Sequence, residues 1–98
     1  MEIGLKESIN KIVTEYGPVE RIILFGSRVR GEADRYSDTD FIVIKDTSDS
    51  FVKRMVDLPT LPIQADIFVY TPSEFEAMKE SENSFITHAL TNSQIVYP

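Results

Sequence analysis

Apolar positions in the first half of the chain form two different patterns. Near the N-terminus they recur every three or four residues, which predicts one face of a helix: Leu5, Ile9, Ile12, Val13 and Tyr16. Gly17-Pro18 should end this helix, because proline cannot continue it and glycine suits its end. The apolar run within residues 19–25 predicts a strand buried on both faces, and residues 40–44, rich in β-branched side chains, predict a second strand. The polar stretch 26–37 between them predicts a loop.

The second half predicts further helices and strands in alternation. Residues 48–58 are a helix candidate with Ser48 or Asp49 as the N-cap, and residues 63–70 predict a third strand. Residues 71–74 resemble a helix start, with a threonine cap, a proline in the first turn and an acid at the positive end of the helix dipole. Later apolar residues suit one or two more helices and a short last strand: Phe75, Met78, Phe85, Ile86, Ala89, Leu90 and Ile95–Tyr97. This order predicts a small α/β or α+β domain around a central sheet.

Length, charge and cysteine usage narrow the functional classes. With 98 residues, the chain is expected to form one domain over residues 1–98. It has no cysteine and one histidine, which excludes thiolate zinc sites, cysteine catalysis and sites built on several imidazoles. The net charge of −6 argues against direct nucleic-acid binding. Neither a membrane span nor a signal peptide is visible in the sequence, so we expect a cytoplasmic protein.

Three aspartates carry the strongest chemical signal. Asp38 and Asp40 are two residues apart at the head of the second strand, so their side chains should project from one face. Two such carboxylates repel each other, and Mg²⁺ or Mn²⁺ is the kind of cation that hard oxygen ligands hold. Asp66 interrupts the apolar third strand, where an ionisable residue needs a partner or a function. If the third strand lies beside the second, three acids can hold two ions and support phosphoryl transfer.

A glycine-serine turn precedes these acids in the sequence. Gly26 ends the first buried strand, and its lack of a side chain lets the backbone approach a ligand closely. Ser27 adds a hydroxyl donor, while Arg28 and Arg30 can neutralise a polyphosphate. We interpret this segment as a cradle for a nucleoside triphosphate.

Each part of this pattern has a simpler interpretation when taken alone. A Gly-Ser pair is commonly a plain turn, an Asp-x-Asp pair a cap or surface pair, and Asp66 could form an ion pair with an arginine. The arginines of the loop could simply be solvated. The order and spacing of the parts together favour nucleotide chemistry over these alternatives.

Two other phosphate and metal motifs do not fit. Gly26 and Gly31 have the spacing of the P-loop glycines, but Glu32-Ala33 follows them in place of the required Lys-Ser/Thr. Residues 38–43 lack the central glycine and the final glutamate of an EF-hand loop.

The composite motif resembles that of the polymerase-β-type nucleotidyltransferases. It resembles in particular the minimal nucleotidyltransferases, which are paired with HEPN toxins in prokaryotic toxin–antitoxin systems. The residues that carry the resemblance are, in chain order, Gly26, Ser27, Arg28, Arg30, Gly31, Ser37, Asp38, Asp40 and Asp66. The resemblance implies an α/β core with a mixed, mostly antiparallel sheet flanked by helices.

The resemblance also implies roles for these residues. Gly26 and Ser27 would hold the triphosphate. Asp38 and Asp40 would bind both Mg²⁺ ions, and Asp66 would complete the site and help to activate the attacking hydroxyl. Two arginines match the basic positions of the family's loop: Arg28 and Arg30.

The resemblance further implies a reaction and a partner. Minimal members transfer AMP from ATP to a tyrosine of the cognate HEPN toxin and thereby silence its RNase activity. Because larger relatives hold the acceptor with extra domains, a partner protein or a second copy of the chain in a homodimer should do so here. Two other hypotheses stay open, namely a non-catalytic antitoxin that neutralises its partner by complex formation and a subunit that senses metal or nucleotide.

Overall fold

The chain forms a mixture of helices and strands, as the apolar pattern predicts. The computed structural model describes residues 3–26 and 39–98. In chain order the elements are helix α1 (Ile3–Lys11), which continues as a π-helical segment (Ile12–Tyr16), strands β1 (Arg21–Phe25) and β2 (Thr39–Ile44), helix α2 (Phe51–Val56), strand β3 (Ala65–Tyr70), helices α3 (Pro72–Glu80) and α4 (Ser84–Thr91), and strand β4 (Ser93–Tyr97). The predicted helices and strands are confirmed, including the short last strand. The predicted loop at residues 26–37 lies, apart from Gly26, outside the described residues.

The four strands form one mixed sheet in the order β3-β2-β1-β4. Strand β1 pairs antiparallel with both β2 and β4, whereas β2 pairs parallel with β3. The predicted α/β class and the mostly antiparallel sheet are therefore confirmed. The parallel pair is possible because the connection from β2 to β3 is long enough to contain α2.

Both faces of the sheet are covered, which explains the continuous apolar runs of β1 and β2. On one face, Phe41 and Val43 pack with α1 and the π-helical segment. On the other face, Ile42 and Ile44 pack with Phe75 of α3 and with residues of α4. Successive residues of β2 thus point into different cores, so a register slip of one residue would exchange them.

The helix starts show local capping chemistry. Thr71 caps α3: its hydroxyl accepts from the Glu74 amide at 3.2 Å, and the Glu74 carboxylate accepts from the Thr71 amide at 2.8 Å. This capping box confirms the predicted helix start. The predicted cap of α2 is wrong, because the cap is Ser50, not Ser48 or Asp49, and its hydroxyl accepts from the Lys53 amide.

A buried arginine fixes α2 to the rest of the fold. Arg54 is 7% exposed, and its guanidinium donates to both carboxylate oxygens of Glu74 at 2.8 and 3.2 Å. Its Nε donates to the Asp49 carbonyl, and the Tyr16 hydroxyl donates to the Arg54 carbonyl at 2.7 Å. Helices α2 and α3 and the end of the π-helical segment are thereby joined.

Within residues 3–26 and 39–98, no helix has the length and apolar character needed to cross a membrane.

Candidate active site

Two of the three predicted acids are neighbours on adjacent strands. Strand β3 lies beside β2, which meets the condition stated for Asp66, and the parallel register pairs Asp40 with Asp66. Paired residues of neighbouring strands project from the same face and have backbones about 5 Å apart. The same row continues through Phe25 of β1, the partner of Asp40 in the antiparallel pair. The two carboxylates therefore share one face near one end of the sheet.

Gly26 lies directly against the Asp40 carboxylate. Its φ is +90°, a conformation that residues with a side chain rarely adopt. A Cβ placed on Gly26 would lie only 2.7 Å from Asp40 Oδ2, closer than two such atoms can approach. The turn after β1 thus requires glycine for two reasons, and one of them is the position of a candidate catalytic acid.

The side chain of Asp66 is more exposed than its place in an apolar strand predicts. Asp66 is exposed, because β3 is an outer strand of the sheet and Asp66 is only the second residue of that strand. Burial therefore does not oblige it to have a partner, and that part of the argument is wrong. No lysine or arginine in the described ranges forms an ion pair with it, so the alternative of a structural ion pair finds no support among those residues. The register with Asp40 remains as the reason to place it in the site.

Four of the predicted site residues lie outside the described residues: Ser27, Arg28, Arg30 and Asp38. Their roles stay predictions from the sequence. With Asp38 outside, the described ranges contain no group of three acidic or histidine side chains able to hold a metal ion. The donor chemistry of Asp40 and Asp66 fits a hard divalent cation, since both offer carboxylate oxygens on one face.

An aromatic cluster lies next to the acids on the same face of the sheet. The ring centroids of Phe25 and Phe68 are 6.1 Å apart, and Phe85 of α4 lies 5.9 Å from Phe25 in an edge-to-face arrangement. Phe68 and Phe85 are 4.9 Å apart. Phe25 is the β1 partner of Asp40, and Phe68 lies two residues after Asp66 in β3. Both rings therefore project from the same face as the two acids. They give the carboxylates a rigid apolar base.

An apolar groove borders the site and was not predicted from the sequence. Its volume is about 490 Å³, and it runs between α2, the segment after it and the start of β3. Of the lining residues within 3–26 and 39–98, Asp66 alone is charged, and the others include Phe51, Met55, Leu58 and Ile63. The signal in the sequence was the surplus of apolar residues in α2, which occupy more than one helix face. The groove therefore offers a protein or ligand an apolar contact beside one of the candidate acids.

Comparison with known proteins shows which family the chain resembles over nearly its whole length. A protein of Methanocaldococcus jannaschii named "Putative protein adenylyltransferase" is 30% identical over 100 residues, which cover 98% of this chain and 97% of that protein. The family profile described as polymerase beta, nucleotidyltransferase, matches residues 7–98, nearly the whole chain. The chain belongs to the polymerase-β nucleotidyltransferase family.

Proposed function

We propose that this protein is a Mg²⁺-dependent nucleotidyltransferase that transfers AMP from ATP to a hydroxyl group of a partner protein. The observation that carries the proposal is the in-register pair of Asp40 and Asp66 on one sheet face, with Gly26 against Asp40. Adenylyl transfer to protein is supported by the name of the 30% identical relative. The partner is a HEPN toxin, as the resemblance to minimal nucleotidyltransferases implies, and the protein acts as its antitoxin.

The proposed roles follow the order of the motif along the chain. Gly26 and Ser27 hold the triphosphate, while Arg28 and Arg30 neutralise its charge. Three carboxylates hold the Mg²⁺ ions: Asp38, Asp40 and Asp66. When bound, the ions supply positive charge to the phosphate oxygens in the transition state.

The chain's own residues position the acceptor and move its proton. The acceptor's hydroxyl oxygen forms a bond to the α-phosphorus while the bond from that phosphorus to pyrophosphate breaks. The hydroxyl proton passes to Asp66, whose exposed position makes it reachable from another protein. Asp40 is half-buried against Gly26 and stays fixed, so the two acids have different surroundings suited to different roles.

The test is transfer of label from ATP carrying a radioactive α-phosphate to the HEPN-domain protein in the presence of Mg²⁺. We expect Asp40→Asn and Asp66→Asn each to lower the rate by at least about 100-fold, the scale on which positioned acids and bases contribute. Glu80→Gln, which changes an exposed acid of α3, is the matched control and should leave the rate unchanged.

Two outcomes would contradict the proposal. One is a wild-type protein that transfers no label. The other is an Asp66→Asn variant that transfers label as fast as wild type. If both aspartate variants still neutralise the toxin fully, the protein acts by complex formation without turnover, which is the non-catalytic alternative.

A further inference from the structure

We propose that the apolar groove between α2 and the start of β3 binds the segment of the acceptor protein that carries the modified hydroxyl. This inference rests on the proposed function and names the surface that delivers the substrate. The expected occupant is an apolar stretch next to a tyrosine, with basic residues alongside it.

The groove presents exposed apolar side chains on a rigid support. Phe51 is 53% exposed and Met55 is 38% exposed, and both line the groove. Their helix is fixed by the buried Arg54, whose guanidinium binds Glu74. A volume of about 490 Å³ is within the range of roughly 300–1,000 Å³ typical of ligand pockets. A preformed apolar groove of this kind binds side chains without first being ordered.

The described lining of the groove suits an apolar protein segment better than a nucleotide. Among the described residues that line the groove, Asp66 alone carries a charge, so this part of the lining offers a triphosphate no cation. The two basic residues of α2 are already engaged: Lys53 pairs with Asp57 at 2.7 Å, and Arg54 pairs with Glu74. The charge that the described lining contributes is therefore that of Asp66, which favours a neutral or basic segment over an anion.

The position of Asp66 points to the acceptor in preference to a second copy of this chain. Asp66 both lines the groove and pairs in register with Asp40. A segment lying in the groove therefore brings its hydroxyl beside the acid proposed to take the proton. A second copy seated there would cover Asp66 and close the site to its substrate.

The first experiment measures binding alone, without nucleotide. Amide shifts of the protein are followed by NMR during titration with the peptide Leu-Leu-Tyr-Lys-Lys and with the matched peptide Ser-Ser-Tyr-Lys-Lys. We expect the first peptide to shift residues of the groove and to bind about tenfold more tightly than the second. Met55→Glu should abolish this difference. Val56→Glu should preserve it, because Val56 is 75% exposed on the same helix but does not line the groove.

Shifts confined to other surfaces, equal affinity for the two peptides, or unchanged binding by Met55→Glu would overturn the inference. None of these outcomes depends on adenylyl transfer, so failure of the groove and failure of the transferase are distinguishable.

The second experiment uses the transfer assay with the HEPN-domain protein. Met55→Glu should raise the KM for the acceptor about tenfold, with kcat and the KM for ATP unchanged. A loss of kcat at unchanged acceptor KM would assign Met55 a structural role instead.

Discussion

At the scale of single residues, the site depends on a close contact between a glycine and an acid. Gly26 has a positive φ and faces Asp40 Oδ2 across a gap that no Cβ fits. In the sequence, a glycine after the first buried strand predicts a close approach of the backbone to a ligand. The structure adds that Gly26 also accommodates the carboxylate proposed to bind metal.

Gly26→Ala should therefore destabilise the protein and reduce its activity together. We expect a loss of about 1–3 kcal/mol in the free energy of unfolding, from the strained φ and from the contact with Asp40. Urea unfolding of wild type, Gly26→Ala, Asp40→Ala and the double variant separates the two causes. Removing the Asp40 side chain should relieve the contact and leave the strain, so the alanine should cost less in the Asp40→Ala background. An equal cost in both backgrounds would show that the contact with Asp40 contributes nothing.

Asp66 shows what the sequence could predict at this scale and what it could not. Its type and its place in an apolar strand were enough to select it as a candidate. Its exposure was not predictable, because exposure depends on β3 being an outer strand, and that depends on pairing with residues distant in sequence. The sequence could place Asp66 beside Asp40 only on the condition that β3 lies next to β2, and the strand pairing meets that condition.

At the scale of elements, local signals predicted helix starts better than they predicted contacts between elements. The capping box of α3 was predictable from Thr71 to Glu74, since its bonds join residues three apart. The second role of Glu74, as the partner of the buried Arg54, was not, because Arg54 lies twenty residues earlier in the chain. The true cap of α2, Ser50, lies one or two residues beyond the predicted candidates, a shift that the pattern of serines and aspartates there does not resolve.

The link between Arg54 and Glu74 should make stability depend on acidity. The Arg54 guanidinium, and then the Thr71 amide, hold the pKa of Glu74 below its ordinary value of 4.5. A carboxyl with a lowered pKa in the folded state stabilises the fold above that ordinary value, and the contribution is lost as the pH falls through the folded-state pKa. Wild type should therefore be more stable than Glu74→Gln at neutral pH, and the difference should shrink in acid.

Urea midpoints of the two proteins, measured at neutral pH and again below pH 4.5, test this prediction. Glutamine is a suitable replacement because its amide oxygen can still accept from the Thr71 amide, so the capping box is retained while the charge and one of the two acceptors for Arg54 are removed. A difference that stays constant or grows as the pH falls would contradict it.

At the scale of the whole molecule, the candidate acids lie near one end of a sheet that is packed on both faces. The face toward α1 is filled with apolar side chains. The opposite face is covered by α3 and α4, and Phe85 of α4 reaches the Asp40 row at Phe25, whereas Asp66 at the β3 end of this row is exposed. Two acids held side by side there repel each other, so the folded chain should gain stability from any cation that neutralises them.

Divalent cations should therefore raise the thermal midpoint of unfolding. A ligand present at about 100 times its dissociation constant, and bound only by the folded state, adds about 2.7 kcal/mol to the free energy of unfolding. We expect the midpoint to rise with Mg²⁺ or Mn²⁺ in the presence of ATP and to return when a chelator is added. Asp40→Asn and Asp66→Asn should each reduce the rise, whereas Glu80→Gln should show the full effect. Equal rises in all four proteins would place the cation elsewhere and would remove the physical basis for pairing Asp40 with Asp66 as metal ligands.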